Sequence, residues 1–348
     1  FRQCQWDKGG TPTAGATEAQ HLIAEFNATR DVGDYEIRIF NDFASLRTKA
    51  VLQASSSAAV AQIAAGVHNS FFLKSDGSLW TVGRNDFGEL GDGTTTHRSH
   101  PIKVADGNVT AVATGNYHTL LLKTGGSLWA VGRNYYGESG DGNTTSPGAP
   151  GQIVSSDVTA ISAGGDHSLF LKSNGSLWAM GLNAYGQLGD GTTTNRTTPV
   201  QIVSSDVTAI SAGVSHSLFL KSNGSLWAMG RNEYYALGDG SSTQRNSPVQ
   251  IVSSGVTAIA AGDYHSLFLK SDGSLWAMGH NAQGQLGDGG VTNRNSPVKV
   301  VSANVTTVAA SFNRNSFFLK SDGSLWAMGT NNHGQLGDSS GTSRASPV

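Results

Sequence analysis

The amino-acid sequence predicts an all-β chain, a β-propeller of four-stranded antiparallel blades, six or seven in number, behind a small mixed α/β segment. Three observations carry this reading. The stretch His-Ser-Leu-Phe-Leu-Lys-Ser-Asn-Gly-Ser-Leu-Trp-Ala-Met-Gly at 216–230 recurs six times with small changes. Its tryptophans, Trp80, Trp129, Trp178, Trp227, Trp276 and Trp326, stand 49 or 50 residues apart. A fixed period of this length marks a repeat architecture. Each copy also divides into four short apolar runs bounded by glycine, asparagine and proline, and no run carries a helical period.

Residues 1–57 stand outside the repeat. Thr17 with Gln20 makes a capping box, and Leu22, Ile23 and Phe26 give the helix that follows one apolar face. Residues 35–40 alternate as a strand does, and Asp42 is placed to cap a second short helix reaching about Leu52. Gln5-Trp6-Asp7 aligns with the Leu-Trp-Ala of the repeat. The segment is therefore expected to be a degenerate blade, a plug or a linker.

Within the copy at 205–253, residues 207–213 read as a first strand and 216–221 as a second. Asn223-Gly224 predicts a type I′ hairpin, with positive φ at both residues, leading to a third strand at 225–230. The fourth strand, 247–252, contains Pro248, which lacks a ladder donor and suits a sheet edge. Equivalent copies run at 58–106, 107–155, 156–204, 254–302 and 303–348, so the propeller is expected over 58–348. The last copy stops within its fourth strand, at Pro347-Val348. A ring leaves no open strand edge, so either further chain or residues 1–57 should close it.

The pattern V-T-A-I-x-A-G-x-x-H-S-L-F-L-K-S-D/N-G-S-L-W-A-M-G-x-N-x-x-G-Q-L-G-D-G-(loop)-P-V resembles the repeat of the regulator of chromosome condensation family. The resemblance implies a propeller, usually of seven blades, and a protein-binding role. One activity in that family is nucleotide exchange on a small GTPase, which depends on a wedge inserted into one blade and on a basic tail. Here the largest irregularity within a blade is one extra residue near Phe312, and no basic tail is present. Near-identical tandem copies, low charge and abundant Ser, Thr and Asn resemble bacterial secreted or cell-envelope members. The chain is thus expected to be extracellular or at the cell surface.

Composition narrows the functions further. The formal net charge is −2 with 14% charged residues, which gives no basic surplus for a nucleic acid. Cys4 is the only cysteine, so neither a disulfide framework nor a thiolate metal site is expected. No run approaches the roughly 20 apolar residues of a membrane span. Nor does any Ser/His/Asp order, carboxylate pair or phosphate-cradling loop stand out, so no catalytic residue, cofactor or small-molecule substrate is inferred.

Comparison of the copies separates a frame from a variable set. The tryptophans read as core packing between blades. His118, His167, His216 and His265 share a position with Asn69 and Asn315, which keep a hydrogen bond but lose acid–base capacity, so they are expected to tie blades together. Asp92, Asp141, Asp190, Asp239, Asp288 and Asp338 lack the clustered oxygens of a calcium site and should fix loops instead. Variation concentrates in two connections. The first-to-second turn carries Tyr117, Asp263, Tyr264, Phe312 and Arg314. The third-to-fourth loop carries Tyr135, Tyr136, Tyr185, Arg231, Tyr234 and Tyr235, alongside Arg84, Phe87, Arg133 and His280. In an up-and-down meander both connections emerge on one face. Tyrosine and arginine are frequent in interface hot spots, so this face is expected to bind a protein partner or a second copy. Nucleotide exchange on a small GTPase, which the resemblance implies, and a structural subunit of a surface assembly or filament are the alternatives.

Overall fold

The computed structural model describes residues 58–348 and, ahead of them, the four strands Gln3–Lys8, Thr11–Pro12, Tyr35–Asn41 and Ala44–Thr48. The described residues contain strands and turns and no helix. They form a six-bladed all-β propeller. Blade 4 shows the plan, with Val207–Ala212, His216–Lys221, Leu226–Gly230 and Arg245–Val252 in that order across one antiparallel sheet. Blades 1, 2, 3 and 5 repeat it. Blade 2 has a shorter outer strand, Gly151–Val154, because Pro147 and Pro150 remove ladder donors ahead of it. Blade 6 has Val305–Ala310, Asn315–Lys320 and Leu325–Gly329, with an outer bridge from Gly329 to Arg344.

Strand alternation explains why the repeat is so apolar. In blade 4, Leu218, Leu220, Leu226 and Ala228 point toward blade 5, where they meet Val256, Ala261, Phe268 and Met278. Phe219, Met229 and Trp227 point the other way, onto Leu169, Leu171, Leu177 and Ala179 of blade 3. The middle strands are thus covered on both faces, and each blade offers a leucine face to its successor. The tryptophans pack between blades as expected, partly buried against these clusters. Trp227 stacks on Phe219 with centroids 6.1 Å apart, and the Lys221 ammonium sits 4.8 Å above the ring. Complementary apolar faces of this kind carry most of the stability, since burial is worth roughly 25 cal/mol per Å² of apolar surface.

The hairpins differ from the type I′ expectation. Gly224 takes φ 74° while Asn223 stays out of the left-handed region. Gly224 N–H donates to Lys221 O at 2.8 Å, and Lys221 N–H to Ser225 O at 3.1 Å. This is a type I turn ending in a left-handed glycine with a bulge. Asn223 Oδ1 accepts the Ser225 N–H at 3.0 Å, a bond that holds Asn223 within the turn. Only in blade 2 do both residues of the pair, Gly125 and Gly126, have positive φ. Gly224 is required twice over, because a Cβ there would also stand 2.8 Å from the backbone nitrogen of Gly255. Its carbonyl accepts the Val256 N–H at 3.0 Å, so the turns join successive blades.

Ahead of the repeats, Tyr35–Asn41 is a strand as expected, but the helix placed after Asp42 is not formed. Ala44–Thr48 is a strand paired antiparallel to Tyr35–Asn41, from Asn41↔Ala44 to Ile37↔Thr48. The ladder offered by the preceding strand outweighs the helical propensity of Ala, Leu and Arg. The sheet order is Thr11–Pro12, Gln3–Lys8, Tyr35–Asn41, Ala44–Thr48, so the described part of this segment is β rather than mixed. The helix expected after Thr17 lies outside the described residues.

Candidate functional site

The third-to-fourth loops of blades 1, 2 and 4 lean onto the first-to-second turn of the next blade, which brings variable residues together on one face. At blades 1 and 2, the Phe87 ring meets Tyr117 at 5.5 Å and Tyr135 at 5.7 Å, both edge-on. The Arg133 guanidinium lies 4.6 Å from the Tyr117 ring and 5.9 Å from both Tyr135 and Tyr136. Arg84 approaches Tyr117 at 5.3 Å. Across blades 3 to 5, Arg231 lies between the rings of Tyr185 at 4.6 Å and Tyr264 at 5.1 Å. Tyr234 meets Tyr264 at 5.0 Å and His280 at 5.1 Å. Tyr135 (57%), Tyr136 (37%) and Tyr234 (38%) are exposed.

These contacts unite Tyr117, Tyr135 and Tyr136 in one cluster, and Tyr185, Arg231, Tyr234 and Tyr264 in another. Asp263 and Arg314 pair at 3.6 Å, next to Tyr264. Phe312 is half-buried, with no ring contact among the described residues. Tyr235 belongs to neither cluster; its φ of 67° falls where blades 2, 3 and 5 have Gly137, Gly186 and Gly284. Arg84, Phe87, Arg133 and His280 lay outside the candidate set yet complete the clusters. Their place in the variable loop was visible in the sequence, while their contacts were not: Arg84 and Phe87 reach Tyr117 of the next blade, His280 reaches Tyr234 of the preceding one, and Arg133 gathers three tyrosines of its own blade.

The arginines of this face are paired. Arg84 bonds Asp86, Arg133 bonds Asp166 and lies 3.4 Å from Glu138, and Arg231 bonds Glu233. Burial pushes Asp263 up to about 6, against the pull of Arg314 and Arg231. Burial likewise raises Glu138, despite backbone donors and Arg133. Blade 4 differs in one respect. Where blades 2 and 5 set Glu138 under Arg133 and Gln285 under His280, blade 4 has Ala236, and the buried Arg231 Nε has no hydrogen-bond partner.

Beneath the face lies a repeated polar frame. Asn183 is fully buried; its Nδ2 donates to Asp190 Oδ1 at 3.0 Å and to the carbonyls of Thr192 and Thr194, and its Oδ1 accepts the Leu188 N–H. Asp190 Oδ2 accepts from Arg196 Nε at 2.6 Å. Burial alone would raise Asp190, but bonds from Thr192, Arg196 and Asn183 hold it below its ordinary value. These aspartates fix loops, as expected. Among the described residues no group of three or more His, Cys, Asp or Glu is arranged to hold a metal.

The histidines tie blades together. His167 Nε2 and Ser217 Oγ are 2.8 Å apart, and the Ser217 hydroxyl donates to Gln187 O at 2.7 Å, so one blade's ring is pinned to the next blade's serine. The His118–Ser168, His216–Ser266 and His265–Ser316 pairs repeat this. Burial lowers all four histidines to about 3, so they are neutral ties rather than acid–base groups. A Cβ on Gly164 would collide with the His167 ring, which explains the glycine three residues before each histidine.

Comparison with known proteins matches this geometry. The profile of the RCC1-like domain covers residues 43–315, and that of the regulator of chromosome condensation (RCC1) repeat covers 305–335. The chain belongs to the RCC1-like domain family. Yeast RCC1 (Prp20), solved bound to Kap60, is 21% identical over 83% of this chain and 74% of its own, with a TM-score of 0.74. A structure of Prp20p from Saccharomyces cerevisiae, described with its binding to Gsp1p and histones, is 20% identical over 82% of this chain and 76% of its own (TM-score 0.73). Human WBSCR16 is 20% identical over 100% of this chain and 94% of its own, with a TM-score of 0.76. At this identity the structures share the RCC1-like fold and no more. No curated protein sequence matches the chain significantly.

Proposed function

We propose that this RCC1-like propeller is a non-catalytic binding module whose tyrosine–arginine face docks a protein partner. The observation that carries the reading is the build of that face. Exposed tyrosines stand on arginines already held between rings and carboxylates, above a frame of buried Asn–Asp–Arg and His–Ser ties. Preordered aromatic groups lose little conformational freedom on binding, which favours affinity. Because the arginines are neutralised by acidic neighbours, the face suits a protein surface better than a phosphate backbone. Prp20, with the same fold, is a protein-binding propeller by the description of its structures, and that likeness supports the mode of action without naming a partner.

Low charge and abundant Ser, Thr and Asn resemble secreted or cell-envelope members of the family, and that likeness favours work outside the cell or at its surface. The test is capture from a surface extract of the source organism by the wild type and by Tyr135→Ala/Tyr234→Ala. A defined partner held by the wild type and lost from the variant supports the reading. Equal capture by both removes this face from it, and recovery of further copies alone favours a structural subunit.

A further inference from the structure

The loop of blade 4 departs from the repeat at two neighbouring positions. Where blades 2, 3 and 5 have glycine it has Tyr235, at φ 67°, and where they have Glu138, Gln187 and Gln285 it has Ala236. The first change strains the backbone, and the second withdraws a buried partner. The group left without that partner is Arg231. Its terminal nitrogens are engaged: Nη1 donates to Tyr264 Oη at 3.2 Å, and Nη2 bonds Glu233. Its Nε is buried and bonds nothing. Among the described arginine side chains Arg231 is alone in this. Arg98, Arg196, Arg245, Arg294 and Arg344 each give Nε to the aspartate of their own loop. Arg84, Arg133 and Arg314 give it to Asp86, Glu138 and Asp263. A second idle donor lies beside it. Gln187 is fully buried, and a Cβ on Gly230, the residue before Arg231, would stand 3.1 Å from its Cα. Gln187 Oε1 accepts the Tyr185 N–H at 3.0 Å, while its Nε2 is unbonded.

We infer that Arg231 is the seat of a carboxylate of the docked protein, which accepts from Nε and Nη2 together and displaces Glu233. This deepens the docking role proposed above and rests on it. Nε and Nη2 lie on one edge of the guanidinium, the edge that a carboxylate bridges with two parallel hydrogen bonds. Glu233 holds only the Nη2 end, and its side chain is 46% exposed, so its bond is readily exchanged for water. The guanidinium is already fixed between the rings of Tyr185 and Tyr264, so an incoming carboxylate meets a donor edge that needs little further ordering. Tyr234, exposed and edge-on to Tyr264, stands where it can shield the new pair from water. The charge of the site sets the ligand. One guanidinium, with Glu233 and Asp263 as acidic neighbours, matches the single charge of a carboxylate, whereas a phosphate carries about two and would face both acids. Ala236 is what keeps the seat open, because the glutamate or glutamine of the other blades would fill it from within.

The test follows the Arg231 Nε–H signal of the full chain by NMR, assigned by its loss in Arg231→Lys. The probe is the peptide acetyl-Ala-Glu-Ala-amide, with acetyl-Ala-Gln-Ala-amide as its neutral match. Saturable movement of the signal is expected with the glutamate peptide and none with the glutamine one. Ala236→Gln, which supplies an internal partner for Nε, should bind the glutamate peptide at least about tenfold more weakly, the worth of one charge-assisted hydrogen bond. Acetyl-Ala-Ala-Ala with a free terminal carboxylate separates the two sources: a response to either carboxylate supports the inference and tells whether a side chain or a chain end is taken. No movement with either carboxylate, equal movement with the glutamine peptide, unchanged affinity in Ala236→Gln, or a larger response to inorganic phosphate would overturn it. Should Ala236→Gln lose its cooperative melting, Arg231→Lys decides by calorimetry, since it keeps the charge without the fork and must also lose the peptide. Failure here and failure of the docking reading are read separately. If the wild type captures a partner that Ala236→Gln holds equally well, the carboxylate seat is lost and the docking face stands.

Discussion

Tyr235 and the glycines beside the histidines show how much the repeat depends on single side chains. Tyr235 holds φ 67° where blades 2, 3 and 5 have glycine, a left-handed conformation that costs a non-glycine residue about 1–2 kcal/mol. Such strain at an exposed loop is typical of a working surface. Tyr235→Gly is expected to raise stability by about 0.5–1 kcal/mol in denaturant titration, part of the relief being lost to the freer unfolded chain. If Tyr235 is part of the docking face, the same change weakens partner capture. Gly213 lies against the His216 ring, so Gly213→Ser should cost about 1–3 kcal/mol by overpacking. Blade 6 combines Ser311 with Asn315 only with an extra residue between them, and in blade 1, which lacks that residue, a Cβ on Gly66 would collide with Asn69 Oδ1. Adding His216→Asn to Gly213→Ser should therefore not recover the loss, and a double-mutant cycle measures the coupling.

At the level of elements, the strands and their order were legible because the repeat spells them six times and alternation fixes which side chains face each neighbour. The loop frame was less so. Asn183, Asp190 and Arg196 are separated by irregular chain, and nothing in their spacing announces that one buried amide serves them all. Asn183→Ala should cost about 2–3 kcal/mol, since it leaves buried partners unsatisfied, and urea unfolding would read it. The histidine ties were legible as a role, but their partners were not, because each serine lies in the following copy. Asn-Gly suggested a type I′ turn, and the Asx bond from Asn223 to Ser225 selected another. The helix expected after Asp42 gives way for a related reason: local propensity carries no trace of the Tyr35–Asn41 strand that pairs with this stretch. The two aromatic clusters were half legible, since meander topology placed the loops on one face while only the structure joined Arg231 to Tyr185 and Tyr264.

For the whole molecule, the four buried histidines predict acid sensitivity. Their folded values lie at about 3 against an ordinary 6.5, so below about pH 6.5 the unfolded chain takes up protons that the folded one does not. Stability is then present at neutral pH and lost as pH falls toward 3. Asp338, held at about 2, adds to the loss at the acid end of that range. Asp263 opposes it, because its value of about 6 favours the neutral folded form as pH falls from 6 toward 3.8. Glu89 and Glu138, raised by burial, act with it, but the four histidines are each shifted further than Asp263. The melting temperature should therefore be lower at pH 4.5 than at pH 7, and His216→Asn/His265→Asn should flatten the slope.

Hydrogen exchange of the propeller, alone and with its captured partner, tests whether a constant frame carries a separate binding face. New protection is predicted in the loops holding Tyr135, Arg231, Tyr234 and Tyr264, with the Asp-Gly and Asn-Gly turns at the opposite ends of the strands unchanged. Protection confined to those turns, or spread evenly over the blades, would contradict it.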